Sequence, residues 1–240
     1  MSVALTTIGF DADDTLWHNE RFFSMTQAHF ADLLSDHADS TPLMDRLEAA
    51  ERRNLPHYGF GIKGFTLSMI ETAIEVTNGK VSASVIGEIL DAGRDMLSHP
   101  VDILPDVVPV LERLRKDHKL VVITKGDLLD QERKLAQSGL RDHFDAVEIV
   151  SDKTAEVYEA VFRRHGTGAD QGLMVGNSIA SDVTPMIAAG GVGVHVPHEL
   201  TWNLEAAKTP DSPRFFEIAG LGALPDLIAR ITATSTLPKG

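Results

Sequence analysis

The chain has 240 residues, 43% hydrophobic and 24% charged, with a formal net charge of −13 and no cysteine. This length buries a sizeable core in one domain or in a core with a smaller insert, and the missing cysteines exclude disulfides, thiolate metal sites and cysteine nucleophiles while fitting a cytoplasmic location. The negative field repels nucleic acid and anionic membranes, no apolar run approaches the ~20 residues of a membrane span, and "MSVALTTIGF" has neither the basic start nor the cleavage site of a signal peptide.

A first apolar stretch, about residues 4–10, reads as a strand. The following ninety residues read as helical. Phe23, Phe30, Leu33 and Leu34 mark one amphipathic stretch; Leu67, Ile70 and Ile74 a second; Val85, Ile86, Ile89 and Leu90 a third. The chain returns at "SHPVDILPD", where Pro100 and Pro105 resist helix continuation.

From about residue 101, short apolar runs alternate with helical spacing. Helical positions are Val107, Val110, Leu111 and Leu114; Leu128 and Leu135; Val157, Ala160 and Val161; and Val183, Met186 and Ile187. Between them lie the strand candidates "KLVVIT" (119–124), "FDAVEIV" (144–150), "GLMVG" (172–176) and "GVGVHV" (191–196). "RFFEIA" is a further short strand candidate, a helix is expected over 221–231, and "TSTLPKG" reads as a frayed tail. This alternation predicts an α/β fold: a Rossmann-like, doubly wound parallel sheet with helices on both faces. The expected domains are 1–17 with 99–240 for the α/β core, and 18–98 for a helical insert.

"GFGIKG" (59–64) matches the G-x-G-x-x-G pattern of dinucleotide sites. That reading requires a strand just before it, and "RRNLPHY" is polar and contains Pro56, so a flexible loop leading into a helix from about Phe65 is expected instead.

Ligands of parallel sheets bind beyond the carboxyl ends of the strands. The polar residues found there are Asp11 and Asp13, then Thr124, then Asp152 and Lys153, then Asn177 and Asp182. In extended backbone, Asp11 and Asp13 share a side while Ala12 faces away. Two carboxylates so placed suit a hard divalent cation such as Mg2+, or a division between a nucleophile and a proton-handling group. Alone, "DADDT" is equally compatible with a solvated acidic turn or helix caps. "VVITKGD" offers a hydroxyl and free N–H groups for an anion, or simply a strand-to-helix turn capped by Asp127. Lys153 alone reads as a surface lysine, and "VGNSIASD" as a loop in which Ser178 or Ser181 caps a helix.

Taken in order, "DADDTLW", "ITKG", "SDKT" and "GNSIASD" resemble the four motifs of the haloacid dehalogenase-like hydrolase superfamily. The helical insert resembles the cap domain that many members carry between the first two motifs. The resemblance implies a Mg2+-dependent phosphatase acting on a small phosphorylated metabolite. Asp11 is then the nucleophile, transiently phosphorylated, and Asp13 the general acid and base. Thr124 and the backbone N–H of Lys125 bind the phosphoryl group, and Lys153 offsets its charge. The implied Mg2+ ligands are Asp11, the carbonyl of Asp13 and the motif around Asp182. Family phosphatases usually carry an acid where this chain has Asn177, which offers the metal an amide oxygen and no charge.

The family's dehalogenases lack an acid at the position of Asp13, so its presence favours phosphate chemistry. The same motifs permit phosphoryl transfer within a sugar phosphate, and a low-activity binding or regulatory protein is a third reading. Caps of this kind usually select the substrate. His57, Tyr58 and Lys63 are therefore candidates for leaving-group contacts, Lys63 foremost for an anionic substrate, with Trp17 near the hinge. Asp14 reads as a spare acid, solvated or turn-forming.

Overall fold

The computed structural model describes residues 5–37, 39–199 and 207–233. Its contacts divide the chain into two compact units: one from residues 1–18, 101–125 and 133–240, the other from 19–100 and 126–132.

The first unit is built on a parallel sheet. Its strands are β1 (Thr7–Phe10), β2 (Lys119–Lys125), β3 (Ala146–Val150), β4 (Gly172–Gly176), β5 (Val192–His195) and β6 (Phe215–Glu217). Their order is β3-β2-β1-β4-β5-β6, every neighbouring pair parallel. Each expected strand is present: β4 has its expected bounds, β2 runs one residue further, and the others are shorter by a residue or two at their described ends. Residue 4 and the "TSTLPKG" tail lie outside the described residues.

Side chains alternate across the sheet, and both faces are apolar. Ile8 and Phe10 of β1, Leu120 and Val122 of β2, Leu173 and Val175 of β4, and Val192 and Val194 of β5 share one buried cluster. Helices α5 (Val107–Leu114), α6 (Leu128–Ser138) and α9 (Leu224–Ala233) contribute to that cluster through Val110, Leu111, Leu135, Leu227 and Ile228. The intervening residues Val121, Ile123 and Met174 join Tyr158, Val161 and Phe162 of α7 (Ala155–His165) and Met186 of α8 (Thr184–Ala188). The chain is therefore wound on both sides of the sheet, as the alternation predicts.

The second unit holds α1 (Glu20–Leu33), α2 (Ser40–Tyr58), α3 (Ile62–Val76) and α4 (Ala83–Ser98). It has its own core of Phe30, Leu34, Leu43, Leu47, Phe65, Met69, Ala73 and Ile89. Two sequence expectations fail here. The apolar face of α3 is Ile62, Phe65, Met69 and Ala73, whereas Leu67 and Ile74 are 43% and 45% exposed. The stretch expected to be a flexible loop is helical on both sides, because "RRNLPHY" closes α2 with Pro56 inside it and α3 begins at Ile62. No strand precedes "GFGIKG", so its glycines form a short break between two helices and the dinucleotide reading lacks its required context.

Gly172 opens β4 where a side chain has no room. A Cβ there would run into the Phe162 ring and stand 3.0 Å from the Met186 methyl. Gly172→Ala is expected to destabilise the chain by about 1–3 kcal/mol through overpacking. In thermal unfolding that is a fall of about 2–4 °C per kcal/mol, and an unchanged midpoint would show that the α7 face is loosely packed.

Candidate active site

All the described polar strand ends in question belong to the first unit and lie on the carboxyl side of the sheet. β1 runs on into Asp11, whose N–H donates to the Val175 carbonyl at 2.9 Å. Lys153 follows β3 and is oriented by Asp152, whose Oδ1 accepts the Lys153 N–H at 2.9 Å. Thr154 then caps α7 by accepting from the Val157 N–H. Asn177 follows β4 directly, and Asp182 lies in the π-helical turn Ile179–Val183.

These residues meet in a buried charge cluster. The Lys153 ammonium donates to Asp11 Oδ1 at 2.5 Å and to Asp182 Oδ1 at 2.6 Å. Its side chain is 1% exposed, that of Asp182 1% and that of Asp11 9%. One lysine thus faces two carboxylates in a place where water cannot share the load. Burial pushes the Asp11 carboxyl up from 3.8 to about 7; Lys153 opposes the shift, and the charges of Asp182 and Asp13 add to it. Burial alone would lower the Lys153 pKa, but the charges of Asp11 and Asp182 prevail and hold it well above its usual value.

The second oxygens are also held. Asp11 Oδ2 accepts from the Thr15 hydroxyl at 3.0 Å, and Thr15 Oγ1 accepts the Asn177 N–H at 3.1 Å. Asp182 Oδ2 accepts the Ser178 N–H at 3.0 Å. Gly176 makes this possible: a Cβ there would overlap the Asp182 carboxylate. The glycine that opens the fourth motif is therefore required by contact with that motif's own acid.

The end of the Asn177 amide stands 3.3 Å from both Asp11 Oδ2 and the Asp13 carbonyl oxygen. Turned so that its nitrogen points inward, the amide donates to both. With its oxygen pointing inward, it brings a third oxygen to the same point, the donor set a hard divalent cation prefers. The residues present therefore fit Mg2+.

Asp13 takes a different course from Asp11. Its Oδ1 accepts from the Trp17 indole N–H at 2.7 Å and from the Lys134 ammonium at 3.0 Å. Lys134 lies on α6 and is 8% exposed. Each acid of the pair thus has its own cation, Lys153 for Asp11 and Lys134 for Asp13. From the sequence, Mg2+ and Lys153 are the only cations expected to offset the pair. Thr15, Trp17 and Lys134 were missed as positioning residues; the fourth-residue spacing of Thr15 from Asp11 and of Trp17 from Asp13 was the available signal for the first two.

Thr124 is buried near the end of β2, two residues beyond Val122, the parallel partner of Phe10. Lys125 directs its ammonium to the Ser181 hydroxyl at 2.7 Å, tying the second motif to the fourth. Ser178 does cap the following turn, accepting from the Ser181 N–H. Lys63 belongs to the second unit, where it donates to Asp127 at 2.9 Å. That contact and the α6 capping bond from the Asp130 N–H lower the Asp127 pKa, with burial opposing them. Asp14 is not solvated. It is 6% exposed in a left-handed turn (φ 59°), with Oδ1 at 3.5 Å from His198 Nε2.

Comparison with known proteins bears directly on this arrangement. The family model of the haloacid dehalogenase-like hydrolases matches residues 5–190. Over 210 residues the chain is 23% identical to the glyceraldehyde 3-phosphate phosphatase of Methanothermobacter thermautotrophicus, covering 82% of this chain and 88% of that one. Its fold is similar to that of a haloacid dehalogenase-like family hydrolase from Xanthomonas campestris, with a TM-score of 0.88, 39% identity and coverage of 97% and 94%. It also matches the fold of the hydrolase YfnB of Bacillus subtilis, solved bound to magnesium, with a TM-score of 0.64, 17% identity and coverage of 93% and 98%. A family match over residues 5–190, which contain all four strand-end motifs, leaves one conclusion: the chain belongs to the haloacid dehalogenase-like hydrolases.

Proposed function

We propose that the chain is a Mg2+-dependent phosphatase that hydrolyses a small phosphomonoester through a phospho-aspartate on Asp11. The observation that carries this reading is the buried Asp11–Lys153–Asp182 cluster, with the end of the Asn177 amide 3.3 Å from both Asp11 Oδ2 and the Asp13 carbonyl oxygen. The phosphatase relative supports the reaction class.

In the first half-reaction, the Asp11 carboxylate attacks phosphorus, the ester P–O bond breaks, and Asp13 gives its proton to the leaving oxygen. In the second, Asp13 takes a proton from water as that water attacks phosphorus, and the bond to Asp11 breaks to release phosphate. Lys153 balances the charge of Asp11 and of the incoming phosphoryl group, and Asp182 holds Lys153 in place. Trp17 and Lys134 fix the orientation of Asp13. Thr124 and the Lys125 N–H hydrogen-bond the phosphoryl oxygens. Asp11, the Asp13 carbonyl and Asn177, with the charge of Asp182 nearby, would hold Mg2+, which would supply positive charge to the transferring group.

The helical residues 18–98 serve as the cap of the 1–17 and 99–240 core in this reading, and Lys63 as a contact for the leaving group. The acidic charge and cysteine-free composition suit a cytoplasmic enzyme of small metabolites that binds neither nucleic acid nor membrane. Among the described residues, no helix is long and apolar enough to cross a membrane.

Hydrolysis of a generic aryl phosphate is expected to need Mg2+ and to fall to at most about a thousandth in Asp11→Asn. Turnover that persists after chelation or in Asp11→Asn overturns the mechanism, as does halide release from a 2-haloacid. Isomerisation of a hexose phosphate without phosphate release would assign a mutase instead. Asn177→Asp adds a charge to the cation's oxygens and is expected to tighten Mg2+ binding about tenfold, or about 1.4 kcal/mol. No change, or a loss, in a Mg2+ titration would show that Asn177 does not face the metal.

Metal-free chain provides a separate test of the charge cluster. The folded pKa of Asp11 lies above its ordinary 3.8, at about 7, so its contribution to stability is complete below the ordinary value and is lost as pH rises through about 7. Asp11→Asn removes that loss. In chelator-treated samples it should therefore melt above wild type at about pH 8, with a smaller advantage at about pH 5. An advantage that does not vary with pH would mean that Asp11 titrates like an exposed acid.

A further inference from the structure

The acid that the proposed phosphatase chemistry leaves unused, Asp14, lies against two histidines. Asp14, His18 and His198 each offer one ligand atom, and these atoms all lie within 4.8 Å of one another. We propose that these three residues form a second cation site, selective for a borderline divalent ion such as Zn2+ and distinct in its donors from the oxygen set around Asp11.

The donor chemistry comes first. Two imidazoles and one carboxylate form a nitrogen-rich set that suits Zn2+, Co2+ or Ni2+, whereas Mg2+ and Ca2+ prefer oxygen alone. Three protein ligands with a fourth position left for water is a common arrangement for zinc. Geometry agrees with the chemistry. Bonds of about 2.0–2.1 Å place neighbouring tetrahedral ligands about 3.3 Å apart. Asp14 Oδ1 and His198 Nε2 already stand at 3.5 Å, close to that edge. The His18 and His198 rings meet edge to face with centroids 5.8 Å apart, and side-chain rotation of His18 can bring its nitrogen inward.

The backbone supplies the pre-organisation. Asp14 N–H donates to the Trp17 carbonyl at 2.8 Å, Leu16 N–H to the Ala12 carbonyl at 2.8 Å, and His18 N–H to the Asp102 carbonyl at 2.9 Å. Residues 14 and 18 are thus held at the two ends of one closed turn. Asp14 adopts the left-handed conformation there, at φ 59°, which is uncommon for a residue other than glycine and is retained where the surroundings enforce it. Its carboxylate is buried, whereas both histidines are partly exposed, which gives an ion a route in from solvent. His198 comes from the segment after β5, so an ion at this point would join the turn after β1 to that segment within one unit. A simple Asp14–His198 ion pair would account for two of the residues but not for His18, whose ring nitrogen lies within 4.8 Å of both their ligand atoms.

Co2+ is the probe, since its visible absorption reports tetrahedral nitrogen and oxygen ligation. Metal-stripped chain in excess Mg2+ is expected to bind one Co2+ with that absorption. His18→Gln and His198→Gln should each weaken binding about 100-fold or more, since even outer partners of metal ligands contribute 10–100-fold. Asp11→Asn should leave Co2+ binding unchanged while abolishing phosphate-ester turnover, which separates this site from the catalytic reading. Displacement by Mg2+, binding as tight as wild type in either histidine variant, or loss in Asp11→Asn would overturn the proposal. Circular dichroism checks that each variant folds. Should either fail, Zn2+-induced shifts of two histidine rings in the NMR spectrum of wild-type chain support the site, and unshifted rings refute it.

Discussion

A single buried ammonium governs the carboxyl end of this sheet. Lys153 reaches both Asp11 and Asp182, and no other described cation is within ion-pair distance of either acid. Two ionised carboxylates could not remain so close in a dry site without it. Removing the lysine would leave desolvated carboxylates uncompensated, a loss that typically costs about 3–5 kcal/mol. The surrounding structure secures that geometry: Asp152 holds the lysine backbone, the Ser178 N–H takes the far oxygen of Asp182, and Thr15 takes that of Asp11. The excess negative charge that remains is what makes a cation or an incoming proton favourable at Asp11.

The sheet explains why residues so distant in sequence meet here. Five parallel pairings place the carboxyl ends of the strands along one edge, so Asp11, Lys153 and Asn177 arrive from three different strands. The packing beneath them is tight on both faces. Gly172 yields its side-chain space to Phe162 and Met186, and Gly176 yields its own to Asp182. Core packing and site geometry are therefore set by the same strand, β4, at its two ends.

Much of this was legible in the sequence because the central strands β1, β2 and β4 are buried on both faces and read as apolar runs. The motifs stood out since charged or hydroxyl residues directly after such runs are conspicuous. The helical unit was harder to read. Helix α2, "STPLMDRLEAAERRNLPHY", is polar enough to hide its buried stripe of Leu43, Leu47 and Ala50, and Pro56 suggests a break that the structure does not make. In α3 the buried stripe includes Phe65, Met69 and Ala73; of the expected Leu67, Ile70 and Ile74, only Ile70 packs against that core, at its margin, and the other two are exposed. Lys134 was illegible for another reason: it lies in an ordinary amphipathic helix, and only the fold brings it to Asp13. Asp14 is turn-forming, one of its two expected states, but its burial was illegible because the sequence does not reveal a left-handed turn that carries the carboxylate to a histidine from far along the chain.

The insert is also not a single stretch of chain. The second unit takes residues 126–132 from the start of α6 in addition to 19–100, and Asp127, the partner of Lys63, comes from that borrowed piece. A cap excised at its sequence boundaries would leave this turn behind. Any chimera that exchanges helical inserts between related cores must therefore carry the matching turn after β2 as well, or the grafted helices will meet a foreign surface where their own chain used to be.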